Sequence, residues 1–153
     1  MKTRATLTAL VTASLAAASL TGASSLATAT STKVSPTNVS RAVARKYIAA
    51  LEAKHENALS PLLSRNAVEI DKPEHHRWSI TMAWKSVFAY VPDLHWRGQV
   101  ICAAPHWAVV GWQMTGSTNP YTNGPFRTPG ISVLDIAKGK ITRETLYYGI
   151  PGR

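Results

Sequence analysis

Arg45-Lys46-Tyr47-Ile48-Ala49-Ala50-Leu51 and, further on, Ala67-Val68-Glu69-Ile70-Asp71 set the architecture of this chain. The first run lies inside a helical pattern. Val39, Val43, Tyr47 and Leu51 recur every four residues, Ile48 and Ala50 widen the stripe, and Arg41, Arg45 and Glu52 fall off it. The second run reads as a short strand ended by Lys72-Pro73. Between them, Ser60-Pro61 predicts the start of a second short helix with Leu59, Leu62 and Leu63 on its apolar side, a capping Ser preceding Pro at the first helical position.

Beyond Pro73 a third helix is expected from Arg77 to Tyr90, with Ile80, Trp84, Val87 and Phe88 as its stripe and Val91-Pro92-Asp93 as its stop. The texture then changes to strands: Leu94–Ala103, Trp107–Thr115, Arg127–Ile136 and Lys140–Tyr148. A Gly/Asn/Pro-rich loop covers Ser117–Pro125, and Lys138-Gly139 turns the last pair. Helices followed by a long antiparallel sheet give an α+β class, in which helices cover one face of a curved sheet and the space between closes as an apolar pocket.

Working outward, the N-terminus reads as an export signal. Lys2 and Arg4 precede an uncharged run containing Leu7, Leu10, Val11, Leu15 and Leu20, and Ala27-Thr28-Ala29 has the small-x-small form of a cleavage site. The run is too short and too diluted by Thr and Ser for a membrane anchor, so no membrane attachment is expected after cleavage. The division is then 1–29 signal peptide, 30–38 flexible tether and 39–153 domain, with a secreted destination. Removing 29 of 153 residues leaves 124, enough for one core. Lys plus Arg falls from 17 to 15 against 8 acidic residues, a net charge of +7. The basic residues are scattered without a run, so a solvated surface is expected and no nucleic-acid partner. Cys102 is the single cysteine, so no internal disulfide can form. Its apolar neighbours Val100, Ile101 and Ala103 mark it as a small core residue.

The order of elements, with the blocks 45–51 through 67–71 and Gly139-Lys140-Ile141 through Leu146-Tyr147-Tyr148-Gly149, resembles the nuclear-transport-factor-2-like superfamily, which includes ketosteroid isomerases and SnoaL-like polyketide cyclases. The resemblance implies a cone-shaped α+β barrel, three N-terminal helices on a curved antiparallel sheet around an apolar pocket. It also implies roles. Tyr47 and Asp71 match the oxyanion-binding tyrosine and the general-base aspartate of bacterial ketosteroid isomerases. Two departures stand out: the resemblance puts a second oxyanion donor, an aspartic acid, at or beside Ile131, where no acid stands, and Gly149 takes the place of a closing-strand Asp in the cyclases.

Proton abstraction beside a carbonyl needs a carboxylate at the carbon and donors at the oxygen; ketosteroid isomerase is among the general examples of this pairing. With the acid at 131 missing, His106, Trp112 and Tyr148 are candidate substitutes, and Trp84 belongs to the aromatic wall. His75 and His76, beside Asp71 and Glu74, lack metal-ligand spacing, so no metal is expected. Trp107 and Trp112 differ by an odd number and should face opposite sides of one strand, one toward the pocket and one toward a second surface. The resemblance further implies a homodimer through the outer sheet face. Two functions are open: a cofactor-independent isomerase, cyclase or lyase acting on a small hydrophobic carbonyl compound, or a non-catalytic module binding a small ligand or a protein in the same fold.

Overall fold

The computed structural model describes residues 35–118 and 124–149. The expected signal peptide, residues 30–34 of the expected tether and the tip of the 117–125 loop lie outside the described residues. Helix α1 spans Pro36–Glu52, so three residues assigned to the tether are helical. Pro36 sits in the first turn, where a missing N–H removes no helical hydrogen bond. Val43, Tyr47, Ile48, Ala50 and Leu51 form its buried face as the spacing requires, joined by Ser40 and Ala44.

The second helical segment begins earlier than Ser60. Helix α2 is one turn, Glu56–Leu59, running into a 3₁₀ turn at Ser60–Leu62, and Ser60 makes no side-chain cap. Pro61 has no N–H to donate, so α-helical hydrogen bonding stops there. Strand β1, Leu63–Asp71, follows, and the chain turns back into β2, His76–Ser79. Arg77–Ser79, expected as the start of the third helix, instead pair with β1: Glu69 opposes Trp78 and Asp71 opposes His76. The turn is made by His75 in the left-handed region (φ 57°), and helical spacing begins only with α3, Ile80–Tyr90.

Strands β3 (His95–Ala104), β4 (Trp107–Gly116), β5 (Phe126–Ala137) and β6 (Lys140–Tyr148) complete a six-stranded sheet of order β2-β1-β6-β5-β4-β3. Two expectations are corrected here. The sheet is mixed, because β1 and β6 run parallel; alternation in a sequence reveals which face a residue takes, not the direction of its neighbour. It is also curved without closing into a barrel, since the edge strands β2 and β3 do not pair.

The concave face of the sheet is covered by α1 and α3. Val110, Leu134 and Ile141 from the strands meet Tyr47, Leu51 and Ile80 from the helices, all fully buried or nearly so. Parity along β4 holds as expected: Trp112 is buried and Trp107 is 40% exposed on the convex face. Cys102 breaks expectation. A register shift between Val100 and Cys102 leaves Ile101 and Cys102 both exposed, so the thiol lies on the surface and not in the core. The interior is not purely apolar either: Glu69, Asp71, Ser132 and Glu144 are buried on its concave wall.

Candidate active site

Strand register places the polar groups. On β1, Glu69 and Asp71 alternate with Ile70 and face inward with Ala67. On the adjacent parallel strand, Glu144 is the direct partner of Glu69, and Leu146 that of Asp71. The next rows continue across the sheet. Glu144 opposes Leu134, Leu146 opposes Ser132, and Tyr148 opposes Gly130, which in turn opposes Trp112.

Two groups of polar side chains result. The deeper one is centred on Glu144. Tyr47 donates its hydroxyl proton to Glu144 Oε2, and the Trp84 indole N–H reaches the Tyr47 oxygen at 2.7 Å and the same carboxylate oxygen at 3.4 Å. Trp112 Nε1 donates to Ser132 Oγ at 2.8 Å. Glu144 Oε1 is buried and has no hydrogen-bond partner among the described residues. Burial raises Glu144 above the ordinary carboxylate range, against the pull of the Tyr47, Ser132 and Trp84 hydrogen bonds. Burial, with the charge of Glu144, likewise lifts Tyr47 well above its usual value, so its hydroxyl keeps its proton as a donor. Glu69 is pushed up to about 9, by burial first and then by the charges of Glu144 and Asp71.

The second group lies at the end of β1. Asp71 Oδ2 accepts a hydrogen bond from the Tyr148 hydroxyl at 2.6 Å, and Oδ1 accepts one from the Glu74 backbone N–H at 2.9 Å. The Tyr148 ring packs against Trp112 with centroids 5.9 Å apart. The Trp112 ring in turn covers Gly130, where an added Cβ would stand 2.2 Å from it. Asp71 therefore sits beside an aromatic wall made of Tyr148 and Trp112.

Tyr47 and Asp71 thus share the helix-covered face of the sheet but do not bond to each other. Each has its own partner, and the Glu69–Glu144 row stands with them on that face. Trp84, Trp112 and Tyr148 lie in these groups. His106 does not: it is exposed in the turn between β3 and β4, where its carbonyl caps Ile136 N–H at 2.7 Å, so the pocket role expected for it is withdrawn. Ile131 is 42% exposed on the convex face, so its inward neighbours are Gly130 and Ser132. Gly149 is exposed, with open space around it. His75 and His76 are exposed at the β1–β2 turn, and the described residues contain no cluster of three metal-ligating side chains.

Glu69 and Glu144 are the residues that sequence reasoning missed. The signal was present in part, since Glu69 alternates with Asp71 on a strand whose inner positions are otherwise apolar. In β6, by contrast, Lys140, Arg143 and Glu144 read together as solvated polar residues.

The SnoaL-like domain family matches residues 44–144, which include Tyr47, Glu69, Asp71 and Glu144 and end before Tyr148. The chain belongs to that family. Solved structures agree on the fold. A candidate ketosteroid isomerase from Kribbella flavida DSM 17836 superposes with a TM-score of 0.61 at 20% identity, covering 78% of this chain and 84% of that one. A candidate polyketide cyclase from Xanthomonas campestris pv. campestris gives 0.62 at 18% identity, over 75% and 93%. A protein with a ketosteroid isomerase-like fold from Catenulispora acidiphila DSM 44928, solved with trimethylamine, gives 0.58 at 18%, over 71% and 85%. No curated protein matches the chain.

Proposed function

We propose that this SnoaL-like domain is an exported, cofactor-independent isomerase, cyclase or lyase that removes a proton next to the carbonyl of a small hydrophobic compound. Asp71 is the base. The observation that carries the reading is its placement: a carboxylate on the concave face, held from both sides by Tyr148 and Glu74 N–H, beside the Tyr148–Trp112 wall. A base fixed in this way meets substrate carbon in one orientation, which is the larger part of what positioning contributes. The acid–tyrosine group around Tyr47 lies on the same face.

The test is solvent exchange. The purified chain should speed deuterium incorporation from D₂O at the α-carbon of 2-tetralone, and Asp71→Asn should lower the rate at least a hundredfold. Equal rates in both proteins would remove Asp71 as the base.

One observation favours the alternative of a binding module. Tyr47 is fully buried with its hydroxyl already donated to Glu144, so it is not free to meet a ligand. Retention of an apolar ligand without exchange, unchanged in Asp71→Asn, would support that reading.

Assembly as a homodimer through the convex sheet face belongs to the same proposal. Ile131 and Tyr147 are direct neighbours there, 42% and 48% exposed, with Ile101 lying over Gly111 and Trp107 further along β4. An apolar patch of this kind on a sheet is best covered by its own copy. Export rests on the N-terminal pattern ending at Ala29. No helix among the described residues is long and apolar enough to cross a membrane.

A further inference from the structure

We infer that Glu69 is the acid that works opposite Asp71, protonating the substrate oxygen while Asp71 takes the proton from carbon. The inference deepens the proposed function and rests on Asp71 being the base.

Three observations lead to it. Glu69 and Asp71 are two residues apart on one strand and face the same way, which separates their Cα atoms by roughly 6–7 Å. Two carboxyl groups so spaced can flank a short –CH–C=O unit. Glu69 is also the direct strand partner of Glu144, and the hydrogen bonds of that pair are one-sided. Tyr47 and Trp84 both donate to Glu144 Oε2. Donors of this kind stabilise a carboxylate, so the charge of the pair settles on Glu144 and the proton on Glu69. Finally, Glu144 Oε1 is buried without a partner, leaving one acceptor on the side of the carboxylate that the donors do not occupy.

The groups facing Glu69 are Asp71 on its own strand, Glu144 on β6 and, beyond Glu144, Tyr47 on α1. The charges acting on Glu69 are the two carboxylates, and both oppose its ionisation. That Glu69 is pushed up to about 9 agrees with this arrangement.

The step balances. Asp71 forms an O–H bond as the substrate C–H bond breaks, and that electron pair becomes the enolate. The Glu69 O–H bond breaks as the enolate oxygen takes its proton, leaving a neutral enol and the Glu69 carboxylate. In the second half the enol returns its proton to Glu69, and Asp71 delivers its proton to the same or a conjugated carbon. No proton is gained or lost overall, and no cofactor is needed.

Glu69→Gln keeps the shape and a donor but has no transferable proton. Exchange into 2-tetralone should fall roughly a hundredfold or more, with KM little changed. The loss of wild-type kcat on the alkaline side, as Glu69 gives up its proton, should vanish in the variant. Carbon-13 NMR of carboxyl-labelled chain supplies a readout that needs no substrate. One glutamate should titrate near pH 9 in the wild type, and that signal should be missing from Glu69→Gln.

If Asp71→Asn is inactive while Glu69→Gln matches wild type, the base assignment stands and the Glu69 assignment is overturned. If Asp71→Asn is fully active, or the wild type shows no exchange, the parent reading fails and this one with it. Should Glu69→Gln not fold, the wild-type titration decides alone: a Glu69 carboxyl titrating in the ordinary range refutes the inference.

Discussion

Raising the pH from 5 to 9 should destabilise this domain strongly, through Glu69. The carboxyl titrates at 4.5 in an unfolded chain and about 9 in the folded one. Between those values the unfolded chain has released the proton and the folded chain still holds it. The folded state therefore binds more protons, and stability falls as pH rises. The contribution is fully present below about pH 4.5 and is lost progressively up to about pH 9. At ~1.36 kcal/mol per pH unit, the gap is on the order of 6 kcal/mol. Glu69 is 5% exposed, so solvent screening does little to reduce it.

Whole-domain stabilities are about 5–15 kcal/mol, so a change of this size removes a large share of the total. Urea unfolding followed by tryptophan fluorescence at pH 5, 6, 7, 8 and 9 reads it directly. The midpoint should drop steadily in the wild type, while the slope with denaturant stays constant. Glu69→Gln cannot ionise, so most of the pH dependence should disappear from it. Glu144, also raised by burial, acts with the same sign and accounts for what slope remains. Parallel midpoint-versus-pH curves for wild type and Glu69→Gln would refute the reasoning.

Two further outcomes are expected. Gly130→Ala places a methyl carbon 2.2 Å from the Trp112 ring. The ring must move off Tyr148 and its Ser132 bond, at a cost of about 1–3 kcal/mol, seen as a melting temperature lowered by several degrees. Ile131→Arg changes a side chain that is 42% exposed and should leave the melting temperature near wild type. The same change should convert dimer to monomer in light scattering at tens of micromolar; a monomeric wild type would remove the dimer proposal.

The helices show what a sequence can and cannot reveal. The α1 stripe was legible because Val43, Tyr47 and Leu51 are apolar, regularly spaced and packed against strands that need nothing else from them. Arg77–Ser79 were not, because nothing local separates the first turn of a helix from a short edge strand. Pairing of Trp78 with Glu69, across a turn made by a left-handed His75, decided the matter. Cys102 failed for a related reason. Its apolar neighbours are real, but a one-residue bulge in β3 reversed the faces beyond Val100.

The site divides along the same line. Tyr47 and Asp71 could be selected from sequence because each sits in a patterned element, yet their partners could not. Glu144 lies 97 residues from Tyr47 and 75 from Glu69, and only the parallel pairing of β1 with β6 brings the three together. The expected second oxyanion donor was sought at position 131, on the strand where the resemblance placed it. Ile131 points outward, and the acid bonded to Tyr47 is Glu144 on the neighbouring strand. Nothing in any single segment marks that neighbour. The trace is physical: buried acids with no cation partner among the described residues. In a chain whose 17 basic residues outnumber 8 acidic ones, holding Glu69, Asp71 and Glu144 inside with no lysine or arginine partner among the described residues works against stability at neutral pH. The proposed chemistry gives that cost a use, since a buried carboxyl that keeps its proton is what an acid working beside Asp71 requires.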